Sequence, residues 1–456
     1  MNNNSLFIFS PSENTQRLDY IARHIFNDVL GIKYSIIRDK ETFLKQTGAC
    51  INYSDENIHH GLWIVPQGLL FEKGVHEIHH PETSKWNGFF CFFLQKLGDI
   101  PFDLFAASFY LLTLYEEYFP KQLDEHGRFD HHESLAFRNG FLEIPLIDRW
   151  AYLLKEELTK KYPDAIFKKR EYNFISTFDI DQPYKYLKKG LLRSMGGMMR
   201  DLLNRRFKNI AARFAALLRL QPDPYMEAIR WIDRTHKEAG KSYFLFALMK
   251  DRGKYGRKTF YPLTDYYRFL RQLDSVTIGL HPSYDTYYNP VQLVKEKNRL
   301  EKALRKTGIT TTRQHFLRMY VPETFRNLEE AGFSEDFTLA FARVPGFRSG
   351  TAIPYFFYDI ENDTVGKLLL HPTVMMDTCL ISHLGLNPEK ALDKIKRLID
   401  ECKQSGGDFL SLWHNSNLTG MNNDNPWKNV FIEMFRYANS LENDTFVSAR
   451  IMNYEL

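Results

Sequence analysis

The sequence predicts an α/β protein in two parts, a mixed α/β domain over residues 1–170 and a region of repeated βα units over residues 171–456. Three observations lead to this prediction. Apolar strand-like runs alternate with helical segments after residue 170. Most of these helical segments begin at or just after a proline, as helices prefer. The 456 residues, of which 44% are hydrophobic, are also enough to bury more than one core.

In the N-terminal domain, the pattern predicts a short strand over residues 6–9 and a helix near residues 18–29. A long apolar and aromatic helix is expected near residues 102–118. This domain carries no obvious catalytic pattern.

In the C-terminal region, strands and helices are predicted in alternation. The strands cover residues 174–178, 242–248, 276–281, 311–317, 338–343, 367–375 and 409–413. The helices cover residues 224–239, 262–273, 290–306, 322–331, 388–405 and 426–441. Repeated βα units imply a parallel sheet, either open or closed into a barrel, and in a barrel the functional groups gather at the carboxyl ends of the strands.

Composition limits the possible partners and compartments. The formal net charge of +4 is small for this length, so nucleic acid is not an expected partner. The four cysteines are widely spread with no C-x-x-C pair, which fits a reducing compartment. No signal peptide and no long apolar run is apparent, so a cytoplasmic protein is expected. No P-loop or dinucleotide-binding motif occurs either.

The segment 188–219 departs from this near-neutral average. It has nine basic residues against one acidic residue, Asp201, a net charge of +8. Apolar residues recur through it at roughly helical spacing, which predicts an amphipathic basic helix or helix pair inserted at about 188–220. One interpretation is a solvated helix that packs on its own domain. The other is peripheral contact with an anionic membrane face, on the inner side, or with a glycan.

Two carboxylates follow the apolar run at 174–178. Asp179 and Asp181 are spaced i, i+2 at the mouth of a predicted strand. Two like charges this close are costly unless a positive group lies beside them, and a divalent metal is the usual solution. The simpler interpretation is a strand end followed by an Asp-rich turn.

Other ionisable residues also follow apolar runs, which favours a shared site over isolated strand-end hydrogen bonds. They are His281 with Asp285 four residues later, Arg313 and His315, Arg348, Asp377, and His414.

Five short motifs in this order resemble those of the polysaccharide deacetylases, carbohydrate esterase family 4, whose catalytic unit is the chitooligosaccharide deacetylase (NodB) homology domain. The string TFDID at 177–181 resembles the first motif, and GLHPSYD at 279–285 resembles the second, H-[ST]-x-x-H. Asp285 departs from the second motif, because it stands where the family has a histidine. The strings GFR at 346–348, MD at 376–377 and LWH at 412–414 resemble the third, fourth and fifth motifs.

The resemblance implies a distorted (β/α) barrel over residues 171–456 and a role for each matched residue. Asp179 would be the general base, with Arg348 pairing with it. His414 would be the general acid, oriented by Asp377.

The resemblance also implies a bound divalent metal, with Asp181 and His281 as ligands. Two protein ligands are too few, and the third would be Asp285 or His315, with Asp285 favoured by spacing alone. Zn²⁺ is the expected ion, although an oxygen ligand at position 285 would admit other divalent metals.

The N-terminal domain carries a second resemblance. The strings PFDLFAA at 101–107, YEEY at 115–118 and RWA at 149–151 resemble a domain of unknown function that precedes a divergent deacetylase domain in some bacterial proteins. The string RQHFLR at 313–318 is similar to that subgroup too. No chemistry is assigned to this N-terminal domain, so it adds little about mechanism.

The two resemblances together imply a bacterial hydrolase that removes acyl groups, chiefly N-acetyl, from a saccharide in envelope or exopolysaccharide metabolism. The bond cleaved would be an amide C–N bond other than a peptide bond. The alternative is an inactive deacetylase-like barrel that acts as a glycan-binding or scaffolding module.

A metalloprotease is a weaker hypothesis. HEIHH at 76–80 satisfies H-E-x-x-H, but Gly74 and Pro81 leave too little room for the helix that this motif requires.

Overall fold

The computed structural model describes residues 5–78, 81–168, 170–249, 263–420 and 425–442. Its N-terminal part is built on a sheet of four parallel strands in the order β2-β1-β3-β4, and a separate antiparallel hairpin, β5-β6, follows it. The strands are β1 (Ser5–Phe9), β2 (Lys33–Ile37), β3 (Ala49–Tyr53), β4 (Leu62–Ile64), β5 (Thr83–Trp86) and β6 (Phe89–Phe92). The predicted strand at residues 6–9 is thus confirmed.

The helices of this part are mostly short. They are α1 (Gln16–Ala22), which continues as a π-helical segment at Arg23–Val29, α2 (Lys40–Leu44), α3 (Leu104–Leu112), α4 (Leu135–Arg138) and α5 (Leu146–Lys161). The helix predicted near 18–29 is confirmed. The helix predicted over 102–118 is shorter, because Asp103 caps its start through the Ala106 N–H and Leu114 is left-handed, with φ 56°.

The C-terminal part is built on a larger, mostly parallel sheet. Among the described residues it has nine strands in the order β12-β13-β11-β10-β9-β8-β7-β15-β14. They are β7 (Asn173–Ile180), β8 (Tyr243–Leu248), β9 (Val276–His281), β10 (Thr311–Thr312), β11 (Glu335–Asp336), β12 (Tyr355–Asp359), β13 (Thr364–Leu370), β14 (Met375–Met376) and β15 (Asp408–His414). Among these nine described strands, only β12 and β13 pair antiparallel. The described residues contain no strand pairing between β14 and β12 or β13, so the hydrogen-bonded order does not close.

The helices of the C-terminal part flank this sheet. They are α6 (Leu191–Leu203), α7 (Phe207–Leu217), α8 (Pro224–Glu238), α9 (Thr264–Leu270), α10 (Pro290–Leu304), α11 (Glu323–Glu330), α12 (Pro388–Ser405) and α13 (Pro426–Glu442). The proline rule holds for α8, α10 and α12, each of which begins with a proline after an Asp or Asn cap. Residue 262, where one helix was predicted to begin, lies outside the described residues.

Three predicted strands differ from the observed ones. The strand predicted over 338–343 is wrong, because Asp336 accepts hydrogen bonds from the Thr338 N–H and hydroxyl and turns the chain. Leu339 and Phe341 are buried there without strand pairing. The run at 311–317 has only a two-residue strand before a 3₁₀ turn, and the run at 367–375 divides between β13 and β14.

Residues 1–170 and 171–456 share a buried interface. One continuous apolar core includes Leu18 and Trp150 from the first part and Phe178 from the second. Tyr20 packs on Tyr358 with ring centroids 4.7 Å apart. No helix within the described residues is both long and apolar enough to cross a bilayer.

Candidate active site

The central strand β7 delivers two carboxylates to the carboxyl end of the large sheet. Asp179 is buried, whereas the side chain of Asp181 just beyond the strand is 38% exposed. On one side of β7, His414 of β15 lies in register with Asp179. On the other side, β8 leads to β9, which ends at His281. Strand ends remote in sequence therefore meet at one edge, as expected for parallel strands.

Asp181, His281 and His315 form a group whose ligand atoms all lie within 4.8 Å of one another. The Asp181 Oδ1 atom is 3.5 Å from His281 Nε2 and 3.6 Å from His315 Nε2. One carboxylate and two imidazoles are a ligand set that suits Zn²⁺ and related divalent ions, with room left for water or substrate.

The hydrogen bonding of this group fits a metal. His281 Nδ1 lies 2.6 Å from the carbonyl oxygen of Arg313, to which it donates, so Nε2 is the atom turned toward Asp181. Asp181 Oδ1 is buried without a conventional hydrogen bond from the described residues. Since a buried carboxylate oxygen without a donor is costly, a cation between these groups would stabilise them.

The electrostatics of the group also fit a cation. Burial alone would raise the pKa of Asp181, but His281 and the nearby His315 and His414 hold it below its usual range. Burial by itself lowers the pKa of His281, yet Asp179 and Asp181 raise it overall. Burial lowers the pKa of His315 to about 4, so this ring stays neutral and able to bind a metal.

Asp285, the ligand favoured by spacing, lies outside this group. After β9 the chain turns at Ser283, whose N–H and hydroxyl both donate to the buried carboxylate of Glu296. Asp285 then enters a short 3₁₀ turn, where it accepts a hydrogen bond from Tyr288. The structure therefore places His315, and not Asp285, beside Asp181 and His281.

The arginine that contacts Asp179 is Arg313. Its Nη1 donates to Asp179 Oδ1 at 3.0 Å, and its Nε donates to the carbonyl oxygen of Phe337 at 2.9 Å. The guanidinium is fully buried, 4.6 Å from the ring centroid of Phe246. This hydrogen-bonded ion pair fixes the orientation of the Asp179 carboxylate.

Arg348, expected to pair with Asp179, instead joins the two parts of the chain. Its Nε and Nη2 donate to the two carboxylate oxygens of Glu117, at 2.8 and 2.6 Å. The backbone just before Arg348 lies close to the N-terminal part, since Gly346 has φ 137° and a Cβ there would lie 2.5 Å from the Leu142 carbonyl oxygen. The segment is thus pressed against residues of the N-terminal part.

Asp377 and His414 form the predicted pair. Asp377 Oδ1 accepts a hydrogen bond from His414 Nδ1 at 2.7 Å, and its Oδ2 accepts one from the His414 backbone N–H at 2.8 Å. This pairing leaves His414 Nε2 as the nitrogen available to a substrate. Burial lowers the pKa of His414, but Asp377, together with Asp181 and Asp179, raises it overall to about 10. The ring is therefore protonated at neutral pH.

The turn that carries His315 is held by the N-terminal part of the chain. Phe316 and Leu317 are both left-handed, with φ 63° and 52°, which costs energy for side chains of this size. Arg128 Nη1 donates to the Phe316 carbonyl oxygen, and Asp124 holds this arginine through a 2.7 Å bond from its Nε. No sequence pattern marked these two supporting residues.

The other histidine clusters have simpler explanations. Residues 73–78 adopt no helix, and His79 and His80 of the H-E-x-x-H string lie outside the described residues. Asp130, His131 and His132 form a second close group. There, Asp130 accepts a hydrogen bond from the His132 N–H and caps a short 3₁₀ turn.

Comparison with known proteins identifies a similarity for the N-terminal part. Residues 6–163 match a family of unknown function, DUF7033. No curated protein matches the chain significantly.

Two solved structures are distantly similar. One, from Mycobacterium smegmatis, is provisionally described as a polysaccharide deacetylase; it is 15% identical, with a TM-score of 0.38, covering 63% of this chain and 96% of that one. The other is the 4-alpha-glucanotransferase from Thermococcus litoralis, 14% identical with a TM-score of 0.34, covering 60% of this chain and 38% of that one. At such TM-scores neither likeness bears on the chemistry of this chain.

Proposed function

We propose that this protein is a metal-dependent hydrolase that removes acyl groups, chiefly N-acetyl, from a saccharide. One observation carries the proposal: Asp181, His281 and His315 converge on a common point beside a second carboxylate, Asp179, and a second histidine, His414. A ligand set, a base and an acid are the groups that amide hydrolysis needs. The saccharide substrate follows from the deacetylase motifs in the sequence.

In this proposal Asp181, His281 and His315 hold a divalent ion, with Zn²⁺ preferred. Such an ion supplies Lewis acidity to the substrate carbonyl and lowers the pKa of water at the site toward about 7. Metals that prefer only oxygen ligands, such as Mg²⁺ and Ca²⁺, are not expected here, because two of the three proposed ligands are imidazoles.

Asp179 accepts the proton of the attacking water. Its Oδ1 is engaged by Arg313 at 3.0 Å, which leaves Oδ2 for the proton. Arg313 in this role is a positioning residue, because it acts through Asp179 and not on the substrate. Proton transfer by a positioned carboxylate typically accelerates a reaction by about 10²–10⁴-fold.

His414 donates a proton from Nε2 to the leaving nitrogen. Its raised pKa keeps this proton in place at neutral pH, and Asp377 holds the ring by Nδ1. An amine leaves far more readily once protonated, so this step matters most for amides.

We also propose that the large sheet is the distorted (β/α) barrel of the deacetylases. The succession β7-β8-β9-β10-β11 in both chain and space supports it. A cytoplasmic location in bacterial envelope metabolism is proposed as well, supported by four cysteines that are all free and buried.

Metal analysis and an acyl-release assay test the function. Purified protein should hold one divalent ion per chain, lose it to a chelator, and release acetate or another acyl acid from a panel of N-acylated and O-acylated saccharides. Asp179→Asn should keep the metal but lower kcat by about 10²-fold or more, because the base is lost and the ligands remain.

Two outcomes would reject the proposal. Purified protein that holds no stoichiometric metal would rule out metal-dependent hydrolysis. Metal-loaded protein that releases no acyl group, yet is retained on a saccharide affinity column, would make the chain a glycan-binding module.

A further inference from the structure

The helices α6 and α7 form a hairpin with small and polar side chains on the inside. Arg213 of α7 donates to the buried carboxylate of Asp201 on α6, with Nη2 and Oδ2 2.7 Å apart. The same guanidinium lies 4.7 Å from the ring centroid of Tyr186. Gly197 makes room for it, since a Cβ there would meet Arg213 Nη2 at 2.8 Å. The hairpin is therefore a defined unit anchored by polar contacts.

The large apolar side chains of α6 lie on the outside. Leu192, Met195, Met199, Leu202 and Leu203 are between 50% and 85% exposed. Their spacing places them on one stripe of the helix, opposite the buried Asp201.

The second helix repeats this arrangement. Phe207, Phe214, Leu217 and Leu218 are between 44% and 67% exposed, at positions that also share one stripe. If the helix pair packed its apolar face on its own domain, these apolar side chains would be buried and the charged ones would be exposed. Contiguous apolar surface of this kind on a water-soluble domain marks a binding site.

The charge of the hairpin indicates what covers this surface. The segment 188–219 has a net charge of +8, and Arg200, Arg205, Arg206 and Lys208 are all exposed. An anionic partner is complementary to it, whereas a second copy of the chain would bring two such surfaces together at high repulsion.

The length of the helices indicates how they would meet a bilayer. With 13 and 11 residues they are only about 20 and 16 Å long, short of the roughly 30 Å apolar thickness of a membrane. Apolar stripes flanked by basic residues suit helices that lie in the plane of the lipid headgroups.

We propose that the α6–α7 hairpin is a docking surface for an anionic lipid bilayer. The apolar stripes enter the boundary between headgroups and acyl chains, and the basic side chains bind the lipid phosphates. This inference does not depend on the proposed hydrolase activity.

Vesicle sedimentation with the full chain tests the proposal. Vesicles of about three parts phosphatidylcholine to one part phosphatidylglycerol should bind the protein at low salt and release much of it at high salt, and pure phosphatidylcholine should bind far less. Replacing Leu203, Phe207 and Leu218 together with Glu should lower the bound-to-free ratio by about tenfold or more. A matched control replaces three apolar residues exposed elsewhere, Leu97, Ile166 and Val291, with Glu and should bind like the wild type.

A fluorescent variant gives a second readout that does not require loss of binding. Phe207→Trp should show a blue-shifted emission on anionic vesicles and quenching by brominated acyl chains, because the indole would enter the apolar boundary.

Three results would overturn the inference. They are equal binding to neutral and anionic vesicles, binding that the triple Glu variant and its control share equally, and absence of binding at low salt. A concentration-dependent dimer in sedimentation velocity, abolished only by the triple Glu variant, would show that a second copy covers the surface instead.

Discussion

At the scale of single residues, the candidate site depends on which basic side chain lies beside which carboxylate. Arg313 contacts Asp179, and Arg348 contacts Glu117. Both arginines are buried. Removing either one would therefore leave its buried carboxylate partner without that ion pair. They differ only in which carboxylate is left behind.

That difference predicts distinct effects of the same substitution. Arg313→Gln and Arg348→Gln should each lower the free energy of unfolding by about 3–5 kcal/mol. Only Arg313→Gln should lower kcat, by about tenfold or more, since it alone releases the proposed base. The measurements are urea unfolding and steady-state kinetics on folded protein. Equal loss of kcat in both variants would contradict the assignment of Arg313.

The third ligand gives another prediction at this scale. His315→Ala should weaken divalent metal binding by about two orders of magnitude or more, because one of the three proposed ligands is lost. Asp285→Ala is the matched control and should bind the metal like the wild type. Isothermal titration with Zn²⁺ measures both, and the opposite order of affinities would restore Asp285 as the ligand.

His24 predicts how stability depends on pH. Both of its ring nitrogens are buried without a hydrogen-bond partner in the described residues, and burial, together with Arg170, lowers its pKa to about 3. The unfolded chain binds a proton more readily, so the stability contributed by neutral His24 is present above about pH 6.5 and is lost as pH falls toward 3.

His24→Leu should therefore remove this loss. Relative to its effect at neutral pH, the variant should gain about 2 kcal/mol in unfolding free energy near pH 5, where the unfolded wild type takes up the proton. Urea unfolding at the two pH values gives the difference. If the variant and the wild type differ in unfolding free energy by the same amount at both pH values, His24 does not have a lowered pKa in the folded protein.

At the scale of elements, the turn after β10 links the N-terminal part to the candidate metal ligands. His315 is followed by two left-handed residues, whose cost is sustained by contacts such as the bond from Arg128 to the Phe316 carbonyl. Local sequence predicts a strand over this run, because its residues favour one. The contact from a distant loop helps to hold this turn, which the local sequence does not predict.

We expect Arg128→Gln to loosen this turn and weaken Zn²⁺ binding by about tenfold, as loss of a supporting contact typically does. Arg17→Gln is the matched control, because Arg17 is a buried arginine that pairs with Asp363 at 2.7 Å across the same interface. Titration calorimetry should show a change only in the first variant, while both lose stability in urea. Unchanged affinity in Arg128→Gln would separate the N-terminal part from the site.

At the scale of the whole molecule, the two parts are joined by charged as well as apolar contacts. The pairs Arg17–Asp363 and Arg348–Glu117 both cross the boundary near residue 170. Cutting the chain there would expose apolar core and leave buried charges without partners.

Residues 171–456 expressed alone should therefore lack cooperative unfolding and fixed tertiary packing. Co-expression with residues 1–170 should restore both. Near-ultraviolet circular dichroism and urea titration check this, and a sharp two-state transition of the isolated fragment would contradict it.

The sequence by itself determined the features that depend on neighbouring residues. These include the apolar strand β7 with its two terminal carboxylates, the helices that begin at prolines, and the basic amphipathic segment. It also indicated most residues of the candidate site, because parallel strands bring their carboxyl ends to one edge whatever the details of packing.

Only the tertiary structure decided the pairings between remote segments. It placed His315 rather than Asp285 beside Asp181 and His281, put Arg313 rather than Arg348 on Asp179, and turned the apolar face of α6 and α7 outward. The physical reason is the same in each case. Spacing along a chain fixes which face of an element a side chain occupies, whereas its partner depends on which distant segment packs there. The residues next to Gly346 and Arg128 in the sequence do not indicate which distant segments these two residues contact.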